Sequence, residues 1–238
     1  MLRPAWIDDG SEIPDPLGHG EAAVQWLRML RHPKSRLPGR ALCLDPWQER
    51  IIRRIYGPRH PDGSRIVRRV VLLLPRGNRK TALCALITLL HLMGPERGFG
   101  NRVFSAAASR EQARELYREA ALIVTGDPQL GRYLSIKDYT SETLLLIAST
   151  SGRGQENIAW QQVERAIRIQ KGEIDDPATL PVIFMAEPED DWQDEAVWRA
   201  VNPGLDYGYP DLDAHRDKAR LAEQSVHERD SFLQFNLT

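Results

Sequence analysis

The chain has 238 residues, of which 42% are hydrophobic and 27% charged, and its net charge is −1. That length holds one domain, or a domain with an appendage, in an ordinary soluble globular composition. Two cysteines, Cys43 and Cys84, exclude a disulfide framework, and no Cys/His cluster has zinc spacing. Residues 1–20 lack the apolar stretch of a secretory leader, and no run reaches the roughly 18 apolar residues of a membrane span. The protein is therefore expected in the cytoplasm, without a membrane partner.

The charge is unevenly spread. Nine arginines fall between Arg50 and Arg79, and an acidic stretch runs from Glu173 to Glu195. The basic stretch reads either as a track for phosphates or as an arginine-rich solvated face.

In chain order, an irregular lead-in rich in Pro and Asp precedes an amphipathic helix over Glu21–Leu30, with Ala22, Val24, Trp26, Leu27 and Leu30 on one face. After a basic loop, Asp45 reads as an N-cap and Pro46 as the first helical residue. The helix continues to Tyr56 with Trp47, Ile51, Ile52 and Ile55 as its buried stripe. Gln48 then sits at the helix start, where its amide either meets a purine edge or is simply solvated.

An apolar strand begins at Ile66 and ends at Leu74, followed by Pro75-Arg-Gly-Asn-Arg-Lys-Thr81 and an apolar helix over Ala82–Met93. Strand, short turn, Lys-Thr and helix is the layout of a P-loop. Turn amides and the helix dipole favour an anion there. Lys80 would reach the outer phosphates, and the Thr81 hydroxyl would sit on Mg²⁺. The usual two glycines fall on Leu74 and Arg79; only Gly77 and Asn78 supply turn chemistry. The bland alternative is a strand–turn–helix with a surface lysine.

A second buried strand is expected over Arg102–Ser109, capped into a helix over Arg110–Val124. A polar link, Asp127–Glu142, carries a weak strand over Tyr133–Ile136. A third strand runs over Thr143–Thr150 and ends in hydroxyls. Helices follow over Gln155–Gln170, Trp192–Val201 and Asp211–Ser225, with a short strand over Val182–Ala186. Phe232–Thr238 carries an apolar pattern without an assigned element. The alternation points to an α/β fold, a parallel sheet flanked by helices.

Lined up, these pieces resemble the large terminase subunit of tailed phages, the ATP-driven motor that packs DNA. Pro46-Trp47-Gln48 resembles its adenine-binding motif and Leu74–Thr81 its Walker A loop. Ala106–Ser109 with Gln112 resembles the strand–helix that follows. Leu146–Gly152 resembles the coupling motif, and Asp190–Trp192 with Val201–Gly204 the lid and linker region.

The resemblance implies a P-loop NTPase-type sheet with a mainly helical C-terminal lid and linker region. Residues 1–152 would form the ATPase core and 153–238 its remainder with the lid. ATP and Mg²⁺ would be the cofactors. Gln48, Gly77, Asn78, Arg79, Lys80 and Thr81 would hold the nucleotide, with Thr81 on the metal. Lys80 and Arg76 would act on the phosphates, and Ser149 and Thr150 would couple hydrolysis to movement. The implied partners are double-stranded DNA, the small terminase subunit, the portal protein and other copies of the chain, in the cytoplasm of a host bacterium.

Three departures stand out. Arg79 replaces the glycine before the P-loop lysine, where a bulky cation either crowds the phosphates or helps to bind them. No apolar run ending in Asp-Glu lies between the second and third strands, so the Walker B segment is expected to be deleted and hydrolysis impaired. Pro181–Glu187 is the one tempting substitute. The chain stops about where a nuclease domain would begin, so no nuclease activity is expected. The alternatives to a packaging ATPase are a non-hydrolysing remnant that binds DNA or terminase components, and a helicase-like P-loop ATPase.

Overall fold

The computed structural model describes residues 1–98, 103, 110–127, 130, 145–149 and 158–237, with side chains not described at 110–113, 145–149, 158 and 159. The expected strand over 102–109 and the weak strand over 133–136 lie outside the described residues, apart from Val103. The chain forms two compact units: residues 1–11, 67–80 and 144–238 make one, and residues 12–66 and 81–143 the other. The units interleave along the chain, whereas the sequence suggests a single boundary after residue 152.

The first unit is built on a parallel sheet. β1 (Arg69–Leu73) pairs on one side with β2 (Leu145–Ser149) and on the other with β3 (Thr179–Ile183), so the order is β2-β1-β3. Arg69 faces Leu145 and Thr179, and Leu73 faces Ser149 and Ile183. A strand paired on both edges and covered on its faces needs a continuous apolar run. Val70, Val71, Leu72, Leu73 and Leu74 provide it, all buried. α5 (Ile158–Gln170) packs Val163 and Ala166 onto Val71, Leu73 and Ile183. Each fully buried aliphatic side chain contributes about 2 kcal/mol.

Three C-terminal helices complete this unit: α6 (Glu195–Val201), α7 (Leu212–Gln224) and α8 (Val226–Asn236). Side chains of Asp194, Asp211 and Ser225 accept from the backbone amides of Ala196, Ala214 and Glu228 and cap the three helices. Their shared core is Trp198, Val201, Leu205, Ala219, Ala222, Phe232 and Leu237. α8 is the element that sequence reading leaves unassigned. Its apolar residues crowd the C-terminal end and do not repeat at helical spacing, so its position follows from tertiary burial of Phe232 and Leu237. β3 starts and ends three residues before the expected Val182–Ala186; beyond it the Phe184 amide still bonds the Leu73 carbonyl, and Met185 pairs with Leu2.

The second unit contains α1 (His19–Met29), α2 (Pro46–Tyr56), most of α3 (Lys80–Leu92) and α4 (Arg110–Gly126). α2 starts as its sequence demands. Asp45 and Gln48 form a reciprocal capping box with Pro46 in the first turn. Trp47, Ile51, Ile52 and Ile55 form the buried stripe. Arg53 ties α2 to α1 by bonding both Glu49 and Glu21, at 3.0 and 2.9 Å. No described helix is long and apolar enough to cross a membrane.

Candidate functional site

β1 runs out at Leu73, and Leu74 and Pro75 remain buried before the chain turns. The turn Arg76-Gly77-Asn78-Arg79 leads into Lys80, the first residue of α3. Two of its residues take the left-handed backbone: Gly77 at φ 91° and Arg79 at φ 48°. The second is unusual for a residue with a side chain. Arg79 therefore adopts the conformation that glycine would take freely at this position. Its guanidinium lies 3.7 Å from the centre of the Tyr209 ring, a cation–π contact.

The other loop residues are also engaged. Lys80 Nζ donates to the Leu74 carbonyl at 2.8 Å, folding the ammonium back over the end of the strand. The Arg76 amide donates to the Phe235 carbonyl at 2.7 Å, and its guanidinium lies 3.5 Å over the Phe235 ring. A Cβ on Gly77 would come within 2.8 Å of the Pro210 Cβ, so glycine here also admits Pro210.

Asn78 is fully buried. Its Nδ2 donates to Pro75 O at 3.2 Å and to Asn202 Oδ1 at 2.7 Å, and its Oδ1 accepts from the Gly204 amide at 3.0 Å. Asn202, 1% exposed, donates through Nδ2 to Trp198 O and to Asn236 O. Its partnership with Asn78 was missed by sequence reasoning, which took Asn202 only as a helix stop within the linker. The one signal was an amide side chain directly before Pro203-Gly204.

The loop thus gathers Arg76, Gly77, Asn78, Arg79 and Lys80 in one short turn, three of them cationic. Thr81 follows in the first turn of α3 and is exposed. Such a turn can hold a polyanion through amides, an ammonium and guanidinium groups. Among the described residues no group of three His, Cys, Asp or Glu side chains could hold a metal by itself.

Ser149 ends β2, paired in register with Leu73. Its side chain and the whole of Thr150 lie outside the described residues, so the coupling pair is placed only by the Ser149 backbone. Gln48 belongs to the second unit and is 4% exposed. Its Oε1 accepts from the Asp45 amide at 3.1 Å, so the amide oxygen that sequence reading left free completes the capping box.

The tempting substitute for a Walker B carboxylate has other partners. Glu187 and Asp190 hold the Met1 ammonium at 3.0 and 2.7 Å, and Glu187 also meets Lys171. These contacts keep the carboxyls of both Glu187 and Asp190 below their ordinary pKa. Four arginines of the basic stretch also have acidic partners. Arg53 pairs with Glu21 and Glu49, Arg59 and Arg65 with Glu96, and Arg69 lies 3.9 Å from Asp176.

No family model matches the chain. Over 118 residues it is 34% identical to the large terminase subunit of Enterobacteria phage HK97, covering 49% of this chain and 22% of that relative. The crystal structure of the HK97 bacteriophage large terminase superposes with a TM-score of 0.75 at 21% identity, over 92% of this chain and 54% of that one. The chain thus spans about half of the solved relative, and at that identity the superposition shows a common fold. The chain is thus similar to phage large terminase subunits, in sequence over about half of its own length and in fold over nearly all of it.

Proposed function

We propose that the chain is a terminase-type ATPase module that binds ATP·Mg²⁺ at Arg76–Thr81 and hydrolyses it poorly. The observation that carries this reading is the β1–turn–α3 geometry, which gathers Arg76, Arg79 and Lys80 where an anion gains most from turn amides. Bound ATP·Mg²⁺ supplies the transferable γ-phosphate and neutralises part of its charge. Lys80 leaves the Leu74 carbonyl for the outer phosphates, where an ammonium counters the charge that develops in phosphoryl transfer. Arg76 supplies a second cation and Thr81 a ligand for the metal. Gln48 reads the adenine edge, and Ser149 and Thr150 respond to the γ-phosphate. Turnover is low because the sequence between α4 and β2 has no apolar run ending in an acidic pair, and Glu187 is committed elsewhere.

In this reading the partners are double-stranded DNA, the small terminase subunit, the portal protein and other copies of the chain. Its place is the cytoplasm of an infected or lysogenic bacterium. One observation favours a non-hydrolysing binding module as the second reading: Arg76, Arg79 and Lys80 all have partners within the chain.

Thermal melting with ATP·Mg²⁺ tests the proposal. A ligand at a hundred times its dissociation constant stabilises by about 2.7 kcal/mol, which raises the melting temperature by several degrees. Lys80→Ala is expected to weaken binding at least tenfold. No shift in the wild type or in Arg79→Gly, or an equal shift in Lys80→Ala, overturns the nucleotide site. Brisk Mg²⁺-dependent turnover that Lys80→Ala abolishes overturns the impaired hydrolysis.

A further inference from the structure

The back of the phosphate loop is fastened to the C-terminal helices by two neutral amides. Asn78 is the only loop side chain that is completely buried, and it uses both its donor and its acceptor. Its partner Asn202 sits just after α6 and spends its own two donor bonds on Trp198 O, within α6, and Asn236 O, at the end of α8. The bonds run from 2.7 to 3.2 Å, within normal hydrogen-bond range. A buried amide network in which each member satisfies the next has few alternative arrangements, because a half-made network leaves polar groups stranded. The turn therefore cannot change its rear contacts without changing the ends of α6 and α8.

We propose that Asn202 is a positioning residue for the phosphate loop, and that occupancy of the loop is read out in α6 and α8 through the Asn78–Asn202 amide pair. The inference rests on the loop being a nucleotide site. Asn202 does not touch the nucleotide; it fixes the turn whose amides and Lys80 do. By linkage, a ligand that favours one loop arrangement must favour the α6–α8 packing that goes with it, and the coupling acts equally in both directions.

The test combines calorimetric titration of the full chain with ATP·Mg²⁺ and backbone hydrogen exchange with and without nucleotide. Asn202→Ala is expected to weaken binding about tenfold, the scale set by stranding a buried polar partner. Ala219→Gly serves as the comparison: it loosens the same helical core without contact to the loop, and should lower the melting temperature while leaving affinity within about twofold. In the wild type, saturating nucleotide should slow exchange in residues 195–201 and 226–236. That measurement needs no variant, so the proposal stays testable if Asn202→Ala does not fold. Equal affinity in Asn202→Ala and wild type, equal weakening by Ala219→Gly, or unchanged exchange in α6 and α8 of a nucleotide-bound wild type each overturns the positioning role while leaving the nucleotide site intact. A wild type that binds no nucleotide removes the site itself, and this inference with it.

Discussion

The two units differ in the polar groups that they bury most deeply. The second unit buries an ion cluster: Glu96 receives Arg59 at 2.7 Å and Arg65 at 3.3 Å, and all three side chains are almost fully enclosed. Beside them, the Tyr56 hydroxyl bonds His91 Nε2 at 3.1 Å. In the first unit the buried groups are neutral: the Asn78–Asn202 amides, and His215, wedged between Trp198 and Phe232 with neither ring nitrogen bonded to any described residue. A buried charge that loses its counter-charge costs more than a buried neutral group that loses a hydrogen bond, though both are costly. Loss of one partner is therefore expected to cost more in the ion cluster than in the amide pair.

The largest expected effect comes from breaking the charged cluster. Glu96→Gln strands two guanidinium groups and should cost about 3–5 kcal/mol, read as the drop in urea unfolding free energy at pH 7. A loss under 1 kcal/mol would mean that water reaches the cluster.

Acid is the next test, because it acts on both units at once. Burial lowers both His91 and His215 from an ordinary 6.5 to about 4; Arg65 and Arg59 reinforce this at His91, and Lys218 at His215. The unfolded chain takes up these protons near pH 6.5 and the folded chain only near pH 4. Stability is therefore complete above pH 6.5 and falls as the pH drops towards 4, by about 3 kcal/mol for each ring. Urea melts between pH 7 and 4 should show that slope. His215→Leu should remove about half of it and, by eliminating two unbonded nitrogens, leave stability at pH 7 equal or slightly higher. An unchanged slope would show that His215 is not the titrating group.

The smallest effect is expected at Arg79. Glycine relieves the left-handed backbone, worth about 1 kcal/mol, but loses a cation–π contact of about 0.5–1 kcal/mol and gains chain entropy in the unfolded state. Arg79→Gly should therefore leave the melting temperature of the ligand-free chain nearly unchanged. A large loss of stability would show that the Arg79–Tyr209 stack holds the loop in place.

Much of this fold is legible from sequence where local signals agree. α2 can be read because Asp45, Pro46 and the stripe from Trp47 to Ile55 all say the same thing. β1 and α3 can be read because a run of buried aliphatics gives way to Lys80-Thr81. α8 is not legible, since its helical state depends on Phe232 meeting Trp198 and Trp192, residues far away in sequence. The candidate site is legible in part. Its lysine and arginines are plain, but Asn78 reads only as a turn residue, and nothing local announces that it bonds Asn202. Gln48 shows the converse limit: a helix start wants a side chain at the third position to close the capping box, and that use is indistinguishable in sequence from a ligand contact.

The order of the strands has a consequence for how the chain is made. β1 is the middle strand, yet both of its neighbours are encoded after it, β2 at Leu145–Ser149 and β3 at Thr179–Ile183. During synthesis at roughly 5–20 residues per second, its five aliphatic residues leave the ribosome with both edges bare and wait roughly ten seconds for a mate. The nascent chain is most exposed to sticking in that interval, and a chaperone that shelters Val70–Leu74 should raise the yield of soluble protein more than one that acts after release.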